Sequence, residues 1–140
     1  NYGMAKAATV GLTNIAALEG SEFGIKSNVI LPAAMTRMAD NLDTSQYPPM
    51  SPELVAPVVG WLCHESCSVN GELLVSAAGR VARAFVTETE GVFKPEWSIE
   101  DVAENIDSIR DDSKQWTFHP ADFGFSQHLA QSFAMAKSES

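Results

Sequence analysis

Apolar residues return every three or four positions at the start of the chain, at Ala5, Ala8, Leu12, Ile15 and Ala16. That period predicts a helix from Tyr2 to about Glu19 with these five residues on one face. Gly11 and the many alanines keep the face thin, so a neighbouring element can approach closely. Gly20 and Gly24 then mark a turn. In Ile25–Leu31 the apolar residues run together at Val29, Ile30 and Leu31. The stretch reads as a strand buried on both faces, as in parallel sheets. Pro32 should end it, leaving Ala33–Met38 as a loop at its carboxyl end.

The polar, proline-bearing stretch Asp40–Met50 has no period. Two readings stand for it: a plain surface connection, or an excursion that acts as a lid over a site. Ser51-Pro52-Glu53 is a helix start, with a capping hydroxyl, a proline at the first position and an acid in the first turn. Leu54, Val55, Val58, Val59 and Leu62 line one face of the helix that follows, and Pro57 should loosen its first turns. Val69-Asn70-Gly71 turns the chain into a second strand, Glu72–Ser76. Strand, helix and strand of these lengths form a βαβ crossover and an α/β fold.

Beyond Gly79 the residues from Arg80 to Glu88 alternate and read as either a further strand or an extended arm. Ser98-Ile99-Glu100-Asp101 resembles a capping box with Asp in place of Glu. The helix it begins carries Ile99, Val102, Ala103, Ile106 and Ile109 on one side. Gln127–Lys137 reads as a last helix with Leu129 and Phe133 inward, and the final three residues as a frayed tail.

Composition narrows the function classes. The chain has 140 residues, 45% of them hydrophobic and 19% charged, which suits a folded domain rather than a disordered one. Nine basic against eighteen acidic residues give a net charge of -9. A surface of that sign repels phosphate backbones, which argues against nucleic acid as a partner. No apolar run reaches membrane-spanning length. Cys63 and Cys67 are too few for a disulfide framework, and with only His64 nearby they fall short of four zinc ligands. They read as reduced thiols at a helix end, which suits an intracellular protein.

Candidate chemistry sits in the first helix. Tyr2 and Lys6 are four residues apart, so a helix projects both from one face, one turn apart. A phenol normally ionises near ~10, and a nearby ammonium favours its phenolate. Such a pair suits proton exchange with an alcohol while hydride passes to a nicotinamide. Against this stands the plain alternative that a helical Tyr and Lys merely pack or solvate.

The text downstream tips the balance. Tyr2 and Lys6, a helix rich in small residues, and EG-x(3)-GIK-x-N-x-I-x-P across Glu19–Pro32 together resemble the carboxyl-terminal half of a short-chain dehydrogenase/reductase. The resemblance implies the corresponding half of a Rossmann-like, doubly wound parallel sheet over residues 1–89, with a mostly helical carboxyl-terminal extension over 90–140. It implies that Tyr2 is the catalytic acid/base and that Lys6 lowers its pKa and holds the nicotinamide ribose. Pro32, Ala33, Ala34, Met35 and Thr36 would line the nicotinamide, although this loop lacks the family's usual glycine and places its Thr one residue early.

LPAAMTRMA and PELVAPVVGWLCHESCSVNGELL are similar to a subgroup, the dehydrogenase unit of peroxisomal multifunctional enzyme type 2 and its bacterial relatives. That similarity implies oxidation of (3R)-3-hydroxyacyl-CoA with NAD. An NADPH-dependent ketoacyl or other carbonyl reductase remains the alternative, as does a non-catalytic binding or oligomerisation module. It also implies a homo-oligomer. The family's phosphate-binding glycines and catalytic serine precede the tyrosine, so the 140 residues read as part of a longer enzyme and as inactive alone. The last residues, Ser-Glu-Ser, differ from the SKL address, which points to the cytoplasm.

Overall fold

The computed structural model describes residues 1–39, 41, 43, 45–119 and 124–138. The chain divides into two compact units, Asn1–Phe85 and Val86–Ser140, against an expected division after Thr89.

The first unit opens with helix α1, Tyr2–Gly20. Its inward face differs from the expected one. Ala17 is fully buried, and Val10, Thr13 and Asn14 are half-buried at the matching helical spacing. Leu12 and Ile15, placed on the buried stripe from the sequence, are 71% and 52% exposed. The small Ala17 is what lets another element reach the helix. Long apolar side chains on the other face, Leu12 and Ile15 among them, are largely exposed.

Strand β1 spans Val29–Ala33, shifted along the chain from the expected Ile25–Leu31. The shift has a physical cause at each end. Residues 25–28 are held by side-chain and turn hydrogen bonds rather than by a ladder, beginning with the Ile25 N–H on the Gly20 carbonyl at 3.0 Å. At the other end Pro32 does not stop the strand. β1 is the outer strand of its sheet, where a residue lacking an N–H is tolerated. Nor is β1 buried on both faces, since Leu31 is 38% exposed.

Ser51 accepts from the Glu53 N–H at 3.3 Å, as a cap should, but the turn it begins is a 3₁₀ turn over Pro52–Leu54. Helix α2, Ala56–Leu62, starts only at the second proline, so Pro57 sits in the first turn where its missing N–H costs nothing. The chain then returns as β2, Leu73–Ala77, parallel to β1 with Val29 opposite Leu73 and Ala33 opposite Ala77.

Ala78 and Gly79 both have positive φ, 48° and 82°, and close a two-residue hairpin into β3, Arg80–Ala84. β3 is antiparallel to β2, which makes the sheet mixed, with the order β1-β2-β3. The two readings of Arg80–Glu88 thus divide: its first half is strand, and Glu88 falls in the second unit.

In that second unit β4, Glu88–Thr89, pairs antiparallel with β5, Gln115–Trp116. Between them lie α3, Ile99–Glu104, and α4, Ile106–Ile109. The single expected helix is interrupted at Asn105, whose side-chain amide bonds the Asp101 carbonyl at 2.8 Å. Asp101, Asn105 and Ile109 form the half-buried face, while Ile99 is 85% exposed. Helix α5, Gly124–Ser138, has Leu129 half-buried as expected but Phe133 57% exposed. His128 Nδ1 lies 2.8 Å from Glu88 Oε2, a contact that ties α5 to β4.

The capping box at the start of α3 is complete. The Asp101 N–H donates to Ser98 Oγ at 3.0 Å, and the Ser98 N–H donates to Asp101 Oδ2 at 2.9 Å. Lys94 also pairs with the Asp101 carboxylate. The Lys94 ammonium, followed by the Ser98 N–H and hydroxyl, holds the Asp101 carboxyl down from 3.8 to about 2. A depressed carboxyl favours the fold above the unfolded value and ceases to as pH falls through the folded one. An NMR titration of the Ser98 amide should therefore show a midpoint near 2, moving up toward 3.8 in Lys94→Ala. A midpoint near 3.8 in the unaltered protein would contradict this.

The hairpin supplies a second expectation. Ala78 carries a side chain in the left-handed region, which costs an L-residue roughly 1–2 kcal/mol. Ala78→Asn creates the Asn-Gly pair that such turns prefer. It should raise unfolding stability by about 1 kcal/mol, read as a shift in denaturant midpoint at constant slope. No shift would mean that the turn is not of this type.

Candidate functional site

Tyr2 and Lys6 occupy the first turns of α1, where the Ala5 N–H closes onto the Asn1 carbonyl at 2.9 Å. Lys6 Nζ lies over the Tyr2 ring, 5.5 Å from its centroid. The two side chains therefore share a face one turn apart. Both are exposed, Tyr2 at 73%. An ammonium held over an aromatic ring in this way is worth about 0.5–1 kcal/mol at an exposed site, enough to bias the lysine toward the phenol without locking it there.

Pro32 and Ala33 are the last two residues of β1, paired with Ser76 and Ala77. Ala34 and Met35 follow at the carboxyl end of the parallel pair, the end at which open α/β sheets take ligands. Met35 donates its N–H to the Met50 carbonyl at 2.6 Å, which draws together the two ends of the intervening excursion. Within that excursion Asp40, Leu42 and Thr44, part of the segment read as either a surface connection or a lid, lie outside the described residues. Thr36 turns its hydroxyl to the Met38 N–H at 3.4 Å, a local turn contact.

Helix and loop are related through the far end of the unit. Ala17 in α1 and Ser27 just before β1 are both bonded by one side chain, that of Asn70. Two segments ten residues apart can meet on a single amide only if the chain reverses between them.

The bonds that hold the reversal form a compact set, which sequence reasoning did not identify. Asn28 donates from Nδ2 to the Val69 carbonyl at 3.1 Å and accepts the Glu72 N–H on Oδ1 at 3.0 Å. The Ser27 N–H donates to Asn70 Oδ1 at 2.8 Å, and the Gly71 N–H to the Ser27 carbonyl at 2.8 Å. Val29 donates to the Glu72 carbonyl at 2.8 Å, and the Lys26 ammonium reaches the Cys67 carbonyl. Gly71 is buried with φ 74°, a conformation that suits glycine alone at this crowded point. The sequence did carry a signal for it, the Asn70-Gly71 pair, which was read there only as a turn.

Cys67 is buried and Cys63 exposed, and His64 Nδ1 lies 2.8 Å from Ser66 Oγ. The second unit contains an open cavity of about 290 Å³, lined by Glu90, Val92, Phe93, Trp97, Ile109 and Met135 among others. None of the sequence-predicted site residues contributes to it.

Comparison with known proteins agrees with this architecture. No family model matches the chain. It is 41% identical over 113 residues to a short-chain type dehydrogenase/reductase of Mycobacterium tuberculosis, covering 79% of this chain and 40% of that protein. It is 40% identical over 97 residues to peroxisomal multifunctional enzyme type 2 of Drosophila melanogaster, covering 68% of this chain and 16% of that one. The solved structure of the full-length Drosophila enzyme superposes with a TM-score of 0.78 at 32% identity, over 98% of this chain and 25% of that chain. The parallel β1–β2 pair with its α2 crossover is thus a Rossmann-type α/β unit. The chain's homologues are short-chain dehydrogenases/reductases, and the similarity covers most of its length. The chain spans less than half the length of these relatives.

Asn28 satisfies two backbone groups across the reversal. Asn28→Ala should lower stability by about 2–3 kcal/mol, two part-buried bonds lost and their partners left unsatisfied. Equilibrium denaturation measures it, and a loss below about 0.5 kcal/mol would show that water replaces both bonds without cost.

Proposed function

We propose that this chain supplies the proton-transfer part of an NAD-dependent dehydrogenase acting on (3R)-3-hydroxyacyl-CoA. The observation that supports the reading is the single face shared by Tyr2 and Lys6, with the ammonium over the ring. The similarity to multifunctional enzyme type 2 supports the substrate class.

The residues here fit one end of a nicotinamide nucleotide. A loop at the carboxyl end of a parallel strand pair presents backbone groups, and an exposed lysine one turn from a phenol can reach ribose hydroxyls. No strand of the first unit runs into a glycine-rich turn at a helix start, so the described residues offer the nicotinamide end of the site and not a phosphate cradle. When bound, a nicotinamide supplies the hydride acceptor.

In this reading Tyr2, as phenolate, takes the proton from the C3 hydroxyl as the C3–H bond breaks. The C3–O bond becomes a carbonyl and the product is the 3-ketoacyl thioester. Lys6 keeps its ammonium over the ring of the phenol that takes up and returns the proton. In the reverse direction Tyr2 returns the proton to the developing alkoxide. Pro32–Thr36 would hold the nicotinamide through backbone groups at the carboxyl end of the parallel pair.

Tyr2→Phe in the full-length protein keeps the ring and removes the proton carrier. It should lower kcat by at least about 10²-fold while leaving NADH affinity within a few-fold. Steady-state kinetics with fluorescence titration of NADH measures both, and an unchanged turnover would end this assignment.

A further inference from the structure

We infer that Asn70 is a positioning residue for the proposed acid/base, setting the angle of α1 and so the place of Tyr2. The inference rests on the Tyr2–Lys6 reading above and names a residue outside the site that governs it.

The last four carbonyls of a helix have no partner within it. In α1 three of them find partners by different routes. The Gly20 carbonyl takes the Ile25 N–H at 3.0 Å, and the Leu18 carbonyl takes the Ser21 hydroxyl at 2.8 Å. Both donors belong to the chain just beyond the helix and move with it. The Ala17 carbonyl is different: it takes Asn70 Nδ2 at 3.0 Å, from the turn that enters β2. Ala17 is fully buried, so the bond lies at a point where helix and sheet are pressed together.

The other half of the same amide is bonded as well. Asn70 Oδ1 accepts the Ser27 N–H at 2.8 Å. The turn does not need that bond to stay beside β1, because Asn28 holds Val69 and Glu72, Gly71 bonds Ser27, and Val29 bonds Glu72. Loss of the Asn70 side chain therefore leaves the β1–β2 junction with these four ties and that of Lys26 to the Cys67 carbonyl. What disappears is the tie from that junction to α1.

Its mechanical effect grows along the helix. Tyr2 lies about 22 Å from Ala17 at ~1.5 Å rise per residue, so a tilt of roughly 3° about Ala17 displaces the phenol by about 1 Å. A misplacement of that size at a reacting group costs up to about 10²-fold in rate. Asn70 touches neither substrate nor nucleotide in this account, and acts only through α1.

The test uses the full-length enzyme with Asn70→Ala and Asn70→Asp. The aspartate keeps the shape and the acceptor toward Ser27 but presents an oxygen, not an N–H, to the Ala17 carbonyl. Four quantities are read: thermal unfolding, NADH affinity, kcat, and the primary isotope effect with (3R)-3-hydroxyacyl-CoA deuterated at C3. Folded Asn70→Asp should lose about ten- to a hundredfold in kcat, show a larger isotope effect and bind NADH within about threefold of the unaltered enzyme. A merely stabilising residue would change the fraction folded and leave the isotope effect per active site unmoved.

Folded variants with unaltered kcat and isotope effect would overturn the inference. So would failure of both variants to fold, since Asn70 would then be a structural residue. Absence of hydride transfer in the unaltered enzyme would instead remove the functional reading beneath it, a distinguishable failure.

Discussion

The first unit depends on the way residues 26–29 and 67–72 are bonded across the entrance to β1 and β2. Two parallel strands cannot begin side by side through a tight turn, because the chain has to leave the sheet and come back through α2. Their starting ends must be aligned by something other than connectivity. Asn28 and Asn70 do it with side-chain amides, each of which can donate and accept at once. Three of their four bonds replace the ladder that residues 25–28 lack and set the register of β1 against β2 before the first strand pair, Val29 and Leu73, while the fourth reaches Ala17 in α1.

The same junction explains how little burial the unit needs at this point. Ala17, Val29 and Cys67 are buried around it, and none is large. Small side chains let the backbones approach, and the approach brings carbonyls and amides within reach of the asparagines. Packing and hydrogen bonding are thus one feature here. Meanwhile the long apolar residues Met4, Leu12 and Ile15 stand exposed on α1 at 75%, 71% and 52%. Apolar exposure of this size marks a face suited to contact with another surface.

Much of this was legible in the sequence. Helical period gave α1 nearly to the residue, Ser98 and Asp101 signalled the start of α3, and Pro57 was expected to loosen the first turns of the helix after Ser51, which begins only at Ala56. The resemblance carried by Tyr2, Lys6 and Glu19–Pro32 led to the family, a conclusion the relatives support. Burial was legible only in part. Period shows that Leu12 and Ile15 share a face but not whether this chain covers it, because that depends on tertiary neighbours. The end of β1 was misjudged since Pro32 was weighed as a strand breaker, whereas an outer strand tolerates it. The break at Asn105 was missed because a side chain that bonds its own helix backbone competes with the helix only once neighbours hold it there. The Asn28–Asn70 junction was hidden for a related reason. Its partners are more than forty residues apart, and no local pattern pairs them.

Native-state amide exchange tests the central claim most directly. The N–H groups of Ser27, Val29, Gly71 and Glu72 are all donors within the junction. If that junction holds the unit together, the four should exchange among its slowest amides and at a common opening free energy, released only when the sheet opens. Exchange of these four at the rates of exposed loop amides such as Ser45, or at four unrelated rates, would contradict the account.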